Sequence, residues 1–215
     1  MGGRGQSLGR YDSYDGGSGK QLEFYDLTSK YSNYTLHEFE NDIRGKANEY
    51  IGVFDKDGKL IAAGTSYNKN SVALPMFVDW SKVETLTHNH PNGGDRGIGG
   101  TFSDADVENA GAFDVNTRAV AKGKGEHTYI LNKRKDSTPN QRSRIQRYSE
   151  GFYGKGNIDN VNNNIDKYVA KKKAQGKTAT DKEKNIVGIG SYKKYWRKQT
   201  EKYGWDYVES KKPRW

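Results

Sequence analysis

The spacing of apolar residues changes several times along the chain, and each change predicts an element. Leu36, Phe39 and Ile43 recur at helical intervals behind Thr35-Leu-His-Glu38, which has the T-x-x-E form of a capping box, so a helix is predicted from about 36 to 48. Two short β-favouring runs follow, Glu49-Tyr-Ile-Gly-Val-Phe54 and Lys59-Leu-Ile-Ala-Ala-Gly64. They flank Asp55-Lys-Asp-Gly58, a D-G turn, and together predict a hairpin. A further strand leads from Val83 through Leu86 into His88. After Ser103 the stretch DADVENAGAF predicts a short helix, and Thr117–Ala121 with His127–Leu131, joined by KGKGE, predicts a second hairpin. The fold class that follows is α+β.

Beyond Asp136 the pattern becomes helical with thin apolar faces: Ile158, Val161, Ile165, Tyr168 and Val169, then Tyr192, Tyr195, Trp196 and Tyr203. Periodicity leaves open whether this tail docks on the body or stands away from it. Residues 1–20 are rich in Gly, Ser and Asp with almost no aliphatic side chains and read as a flexible leader. The expected organisation is a leader at 1–20, a body at 21–135 and a basic helical tail at 136–215. No internal repeat is visible.

Composition narrows the chemistry. The chain has 215 residues, 32% hydrophobic and 29% charged, with 26 glycines, so an economical core is expected. It contains no cysteine, which removes disulfides and thiolate metal sites and leaves histidine and carboxylate as the strong ligands. No apolar run approaches the ~20 residues that span a bilayer, and the N-terminus has no signal-peptide core, so a soluble, cytoplasmic protein without membrane contact is the expectation. The net charge of +9 is concentrated: residues 136–215 hold 19 Lys and Arg against 9 Asp and Glu, whereas the body is near neutral. That division predicts chemistry in the body and attachment to an anionic partner through the tail.

His88-Asn-His90-Pro91 ends a predicted strand, where residues i and i+2 project to one face and both imidazoles can reach one metal ion. Ser103-Asp-Ala-Asp106 opens the next helix. A serine N-cap with an acid three residues on is an ordinary helix start, and it also fixes a carboxylate in one orientation. Upstream, Glu49 enters the first hairpin.

This ensemble resembles the JAB/MPN (JAMM-type) zinc metalloprotease family, whose signature is a Glu, then H-x-H, then seven residues and S-x-x-D. Within it the RadC-like bacterial and phage branch is most similar, by His-Asn-His-Pro and by the E-Y-I-G-V-F-D-K-D-G-K-L-I segment. The resemblance covers about residues 47–131. It implies a cytidine-deaminase-like mixed sheet flanked by helices, Zn2+ held by His88, His90 and Asp106, Glu49 as acid/base and Ser103 as a helper for the oxyanion. The activity it implies is cleavage of a peptide bond or of an isopeptide bond at lysine, by a metalloprotease or isopeptidase. One departure is plain: twelve residues separate His90 from Ser103, the excess falling within NGGDRGIGGTF. Five of those eleven residues are glycine, which predicts a mobile flap beside the metal and keeps Asp95 and Asp104 as alternatives to Asp106.

Other residues read as structural. His37, with Glu38 and Glu40, lies on a predicted helix at spacings that do not converge on one ion. His127 stands in a strand, and Glu84 comes too close before the histidines to serve easily as base. Glycines 97, 99 and 100 do not join a strand to a helix as a phosphate loop requires. The competing function is nucleic-acid binding by the tail, where Tyr148, Tyr153, Tyr192, Tyr195, Trp196 and Trp205 alternate with Lys and Arg and could stack on bases. A third reading is a component of a virus particle, because the opening MGGRG and its Ser/Gly-rich run are similar to the start of some proteins encoded among phage head genes.

Overall fold

The computed structural model describes residues 22–91, 101–121, 127–148 and 151–211, of which 148, 151–158, 185 and 211 are described by backbone alone. The predicted leader, the KGKGE turn, Asp95 and most of the predicted flap lie outside the described residues. The chain is α+β, with a seven-stranded mixed sheet flanked by helices. In chain order the elements are β1 (Tyr25–Asp26), α1 (Thr28–Tyr31), α2 (Leu36–Ile43), β2 (Tyr50–Asp55), β3 (Leu60–Thr65), β4 (Val83–His90), α3 (Asp104–Phe113), β5 (Asn116–Ala121), β6 (His127–Lys133), α4 (Pro139–Ser143), α5 (Gly151–Ala174), α6 (Asp181–Lys202) and β7 (Trp205–Lys211). The strand order is β1-β3-β2-β4-β5-β6-β7, and only β4 and β5 run parallel. A parallel pair needs a crossover, and α3 lies within it, so the next helix after β4 precedes the parallel strand β5.

The capping box at Thr35 forms as expected: Thr35 N–H donates to Glu38 Oε2 and Glu38 N–H to Thr35 Oγ1. The helix is shorter than predicted, ending at Ile43. Arg44 is its C-cap, still with helical dihedrals, and buries its guanidinium against the carbonyls of Ala121 and His127 and the hydroxyl of Thr128. The first hairpin turns at Gly58, whose φ of +77° is the left-handed region that glycine enters without strain.

Both faces of the sheet are covered. Phe39 of α2 lies against Gly52 so closely that a Cβ there would sit 2.4 Å from its ring, and Tyr31, Phe39, Ile43 and Phe54 form the core on that side. On the other side α3 packs with the C-terminal helices around Phe102, Val107, Leu131, Ile145, Trp196 and Trp205.

That second core decides how the tail sits. The helical reading of 136–215 lacks β7, which pairs with β6 over seven residues, from Lys133 opposite Trp205 to His127 opposite Lys211. Trp205 and Tyr207 turn inward and Asp206 and Val208 outward, the period-two alternation of a half-buried strand. Residues 136–211 therefore complete the sheet and the core cluster that residues 102–131 begin. No helix among the described residues is long and apolar enough to cross a membrane.

Candidate metal centre

The antiparallel pairing of β2 with β4 sets Ile51 opposite His88, so counting outward brings Glu49 opposite His90 and onto the same face as both imidazoles. Glu49 stands one residue before β2, not within it as predicted. From α3 comes Asp106. Ser103 is the N-cap, its hydroxyl accepting from Asp106 N–H at 3.2 Å while its own N–H donates to Asp106 Oδ2 at 2.6 Å. The capping box thus orients the third carboxylate, joining the structural and functional readings of S-x-x-D.

The four predicted residues meet. His88 Nε2 lies 2.9 Å from His90 Nε2, 3.0 Å from Asp106 Oδ1, and His90 Nε2 lies 3.4 Å from Asp106 Oδ2. Donor atoms of Glu49, His88 and His90 all fall within 4.8 Å of one another, and this buried group could hold a metal ion. Glu49 is 7% exposed and His88 3%. A tetrahedral ion bound at ~2.0–2.1 Å sets its donors roughly 3.3–3.4 Å apart, close to the separation of the two imidazole nitrogens and to that of each from its own Asp106 oxygen. Two buried carboxylates around two imidazoles also call for positive charge between them, as protons or as a cation.

The electrostatics carry the same demand. Burial pushes the Glu49 carboxyl up to about 8, with His90 opposing and the Asp106 charge adding. Burial also acts to raise Asp106, but the charges and hydrogen bonds of His88 and His90 prevail and hold it well below the usual carboxylate range. His90 Nδ1 is buried with no hydrogen-bond partner among the described residues.

No family model, curated protein or solved structure matches the chain. The centre is thus read from its own geometry.

Of the alternatives to Asp106, Asp104 is committed elsewhere, accepting from Tyr192 Oη at 2.5 Å, and burial raises its pKa against that bond. The residues set aside are also occupied. His37 pairs with Asn41 on the surface of α2, His127 Nδ1 lies 2.7 Å from a Glu209 oxygen, and Glu84 accepts from Asn116 and Lys133. A groove of about 810 Å³ opens at the opposite end of β4 and β5, where Lys133 pairs with Glu84 and Arg134 with Asp136.

The structure corrects the stacking role given to the tail aromatics. Trp196 and Trp205 are fully buried and Tyr192 is 8% exposed, so these three present no open face to a base, while Tyr195 is half-buried against the same cluster. Tyr148 and Tyr153 have side chains outside the described residues. Two contacts of the site were not foreseen: Tyr192 on Asp104, and Asn89 between the histidines, fully buried and bonded to both neighbours of Glu49. An asparagine inside a strand was the available signal for the second, since asparagine is depleted in strands.

Proposed function

We propose that the protein is a zinc-dependent peptidase or isopeptidase of JAB/MPN type, with the RadC-like branch as its nearest likeness. The observation that carries this reading is the convergence of His88, His90 and Asp106 within 3.4 Å, with Glu49 beside the histidines. His88, His90 and Asp106 would hold the ion. Three protein ligands leave a position for water or substrate, as catalytic zinc requires. When bound, zinc supplies an acidified water and polarises the scissile carbonyl.

The remaining work belongs to the chain. Glu49 is enclosed and its carboxyl is lifted by burial, so without a nearby cation it holds a proton at neutral pH; positive charge at the histidines favours the carboxylate. It then accepts a proton from the attacking water and returns it to the leaving amine. Ser103 accepts at the N-cap, which leaves its O–H to donate to the developing oxyanion. The product is a cleaved amide.

The two carboxylates have different tasks, and variants separate them. Asp106→Ala removes a ligand and is expected to lose metal and activity together. Glu49→Gln keeps the shape but removes the proton acceptor, so zinc stays near one per chain while hydrolysis of a linear or lysine-linked peptide falls roughly 10²–10⁴-fold. Loss of metal in Glu49→Gln would make Glu49 a ligand and overturn the assignment.

A second reading, attachment to a polyanion, is favoured by one surface. Lys194, Arg197 and Lys198 are exposed at i, i+3 and i+4 on α6. With Tyr192, Trp196 and Trp205 buried, such binding would rest on phosphate contacts and not on stacking by these three.

A further inference from the structure

We propose that Asn89 is a positioning residue for Glu49: it clamps the peptide groups on either side of the glutamate and so fixes where its carboxylate meets the two histidines. This rests on the reading of Glu49 as the base. The pairing of β2 with β4 ends at Ile51 and His88, and beyond it a side chain takes over from the main chain. Tyr50 N–H donates to Asn89 Oδ1 at 2.7 Å, and Asn89 Nδ2 donates to the Asn48 carbonyl at 3.1 Å. One planar carboxamide supplies the acceptor and the donor, which an aliphatic side chain or a carboxylate cannot do.

Glu49's own peptide groups are held as well. Its N–H donates to the Asn68 carbonyl at 2.7 Å, and its carbonyl accepts from Thr65 Oγ1 at 2.7 Å. Residues 48–50 are therefore gripped from β4 by Asn89 and from the far side by Thr65 and Asn68. Asn89 and Thr65 are both fully buried, so water cannot substitute for either bond.

The alternation of β4 explains why the clamp stands where it does. His88 and His90 share one face, and the residue between them is the one that lies beside the first residue of β2 without competing for the ion. Asn89 therefore joins ligands and base into one rigid unit: the strand that presents the imidazoles also sets the base. Small misplacements matter at such a site, since about 1 Å can cost on the order of 10²-fold in rate.

The test uses the full chain with Asn89→Ala and Thr65→Val, the second nearly isosteric and removing the hydroxyl that donates to the Glu49 carbonyl and accepts from Tyr67 N–H. Zinc affinity is measured by chelator competition, kcat and KM on a peptide the parent cleaves, and hydrogen exchange at the Tyr50 amide in metal-free protein. For Asn89→Ala we expect zinc affinity and KM within about 3-fold of the parent, kcat down about 10–100-fold, and Tyr50 exchange at least about 10-fold faster. In a Glu49→Gln background the same change should cost nothing further in kcat, because a residue that acts only through Glu49 has nothing left to act on. Zinc affinity falling as far as kcat, or an undiminished effect in the Glu49→Gln background, overturns the proposal. If Asn89→Ala does not fold, Thr65→Val decides: a several-fold loss of kcat with zinc retained supports the clamp, and an unchanged kcat sinks it. A parent that binds zinc but cleaves no peptide defeats the peptidase reading. The clamp is then judged by Tyr50, whose amide must be protected in the parent and released in Asn89→Ala.

Discussion

Trp205→Ala tests whether the C-terminal segment belongs to the core. Trp205 is fully buried at the start of β7, and its Nε1 donates to the Arg142 carbonyl at 3.2 Å. The Arg142 guanidinium lies 6.0 Å from the ring centroid. Truncating a buried tryptophan costs about 3–5 kcal/mol, and the lost hydrogen bond adds roughly 1 kcal/mol. Domains of this size shift by roughly 2–4 °C per kcal/mol, so the midpoint of thermal unfolding should fall by about 8–24 °C. Val208→Ala is the control, because Val208 is 43% exposed on the outer pleat of the same strand and should cost about 1 kcal/mol or less. Circular dichroism through a thermal ramp compares the three proteins. A shift below about 4 °C for Trp205→Ala, or equal shifts for both variants, would show that β7 does not close the core in solution.

Two further predictions concern the tail. Hydrogen bonds from Lys172 and from the Thr180 backbone lower the Glu183 pKa from 4.5 to about 2, so the tie between α5 and α6 is whole above pH 4.5 and is lost as pH falls toward 2. A carboxyl titration followed by NMR should place the Glu183 midpoint near 2, and a midpoint at 4.5 would remove the tie. Neutralising Lys194, Arg197 and Lys198 together should weaken binding of single-stranded DNA and lower the slope of log affinity against log salt by about 2, with no dependence on base composition. An unchanged slope would place the polyanion contact elsewhere.

Much of the body was legible because local rules and tertiary packing agree there. Asp-Lys-Asp-Gly58 demands a turn and is one, Ser103 caps the helix it was expected to cap, and the alternation of β4 puts His88 and His90 on one face. The grouping of Glu49 with the histidines was expected from the resemblance in motif alone, because periodicity does not set register and the pairing of β2 with β4 is not visible in the sequence. Strand β7 was hidden for a different reason. Trp205, Tyr207 and Glu209 alternate correctly, but the run is short, follows 22 helical residues and carries a lysine-rich end, so helical momentum outweighed a period-two signal. Tertiary contacts also overrode composition in the tail: lysine density suggested a solvated surface, whereas the aromatic residues between the lysines are what α6 uses to bury itself.

That burial ties the tail to the proposed ligand. Asp106 owes its orientation to the Ser103 capping box, and the residues flanking that box are held by the C-terminal segment. Thr101 Oγ1 and Tyr207 Oη share a hydrogen bond of 2.6 Å, Phe102 packs edge-on against Tyr207, and Tyr192 holds Asp104. The two histidines come from a central strand whose position does not depend on these contacts, because β4 is paired on both sides. The centre therefore has two supports of unequal rigidity: an imidazole pair fixed by the sheet and a carboxylate fixed by helix α6 and strand β7. A chain ending at residue 135 would keep His88, His90 and Glu49 in sequence, yet it would lack the partners of Thr101 and Asp104 and the tryptophans that fill the core between α3 and β6. The basic segment is thus part of the centre's scaffold before any anionic partner is considered, and its charge and its aromatic residues serve separate ends on opposite sides of one helix.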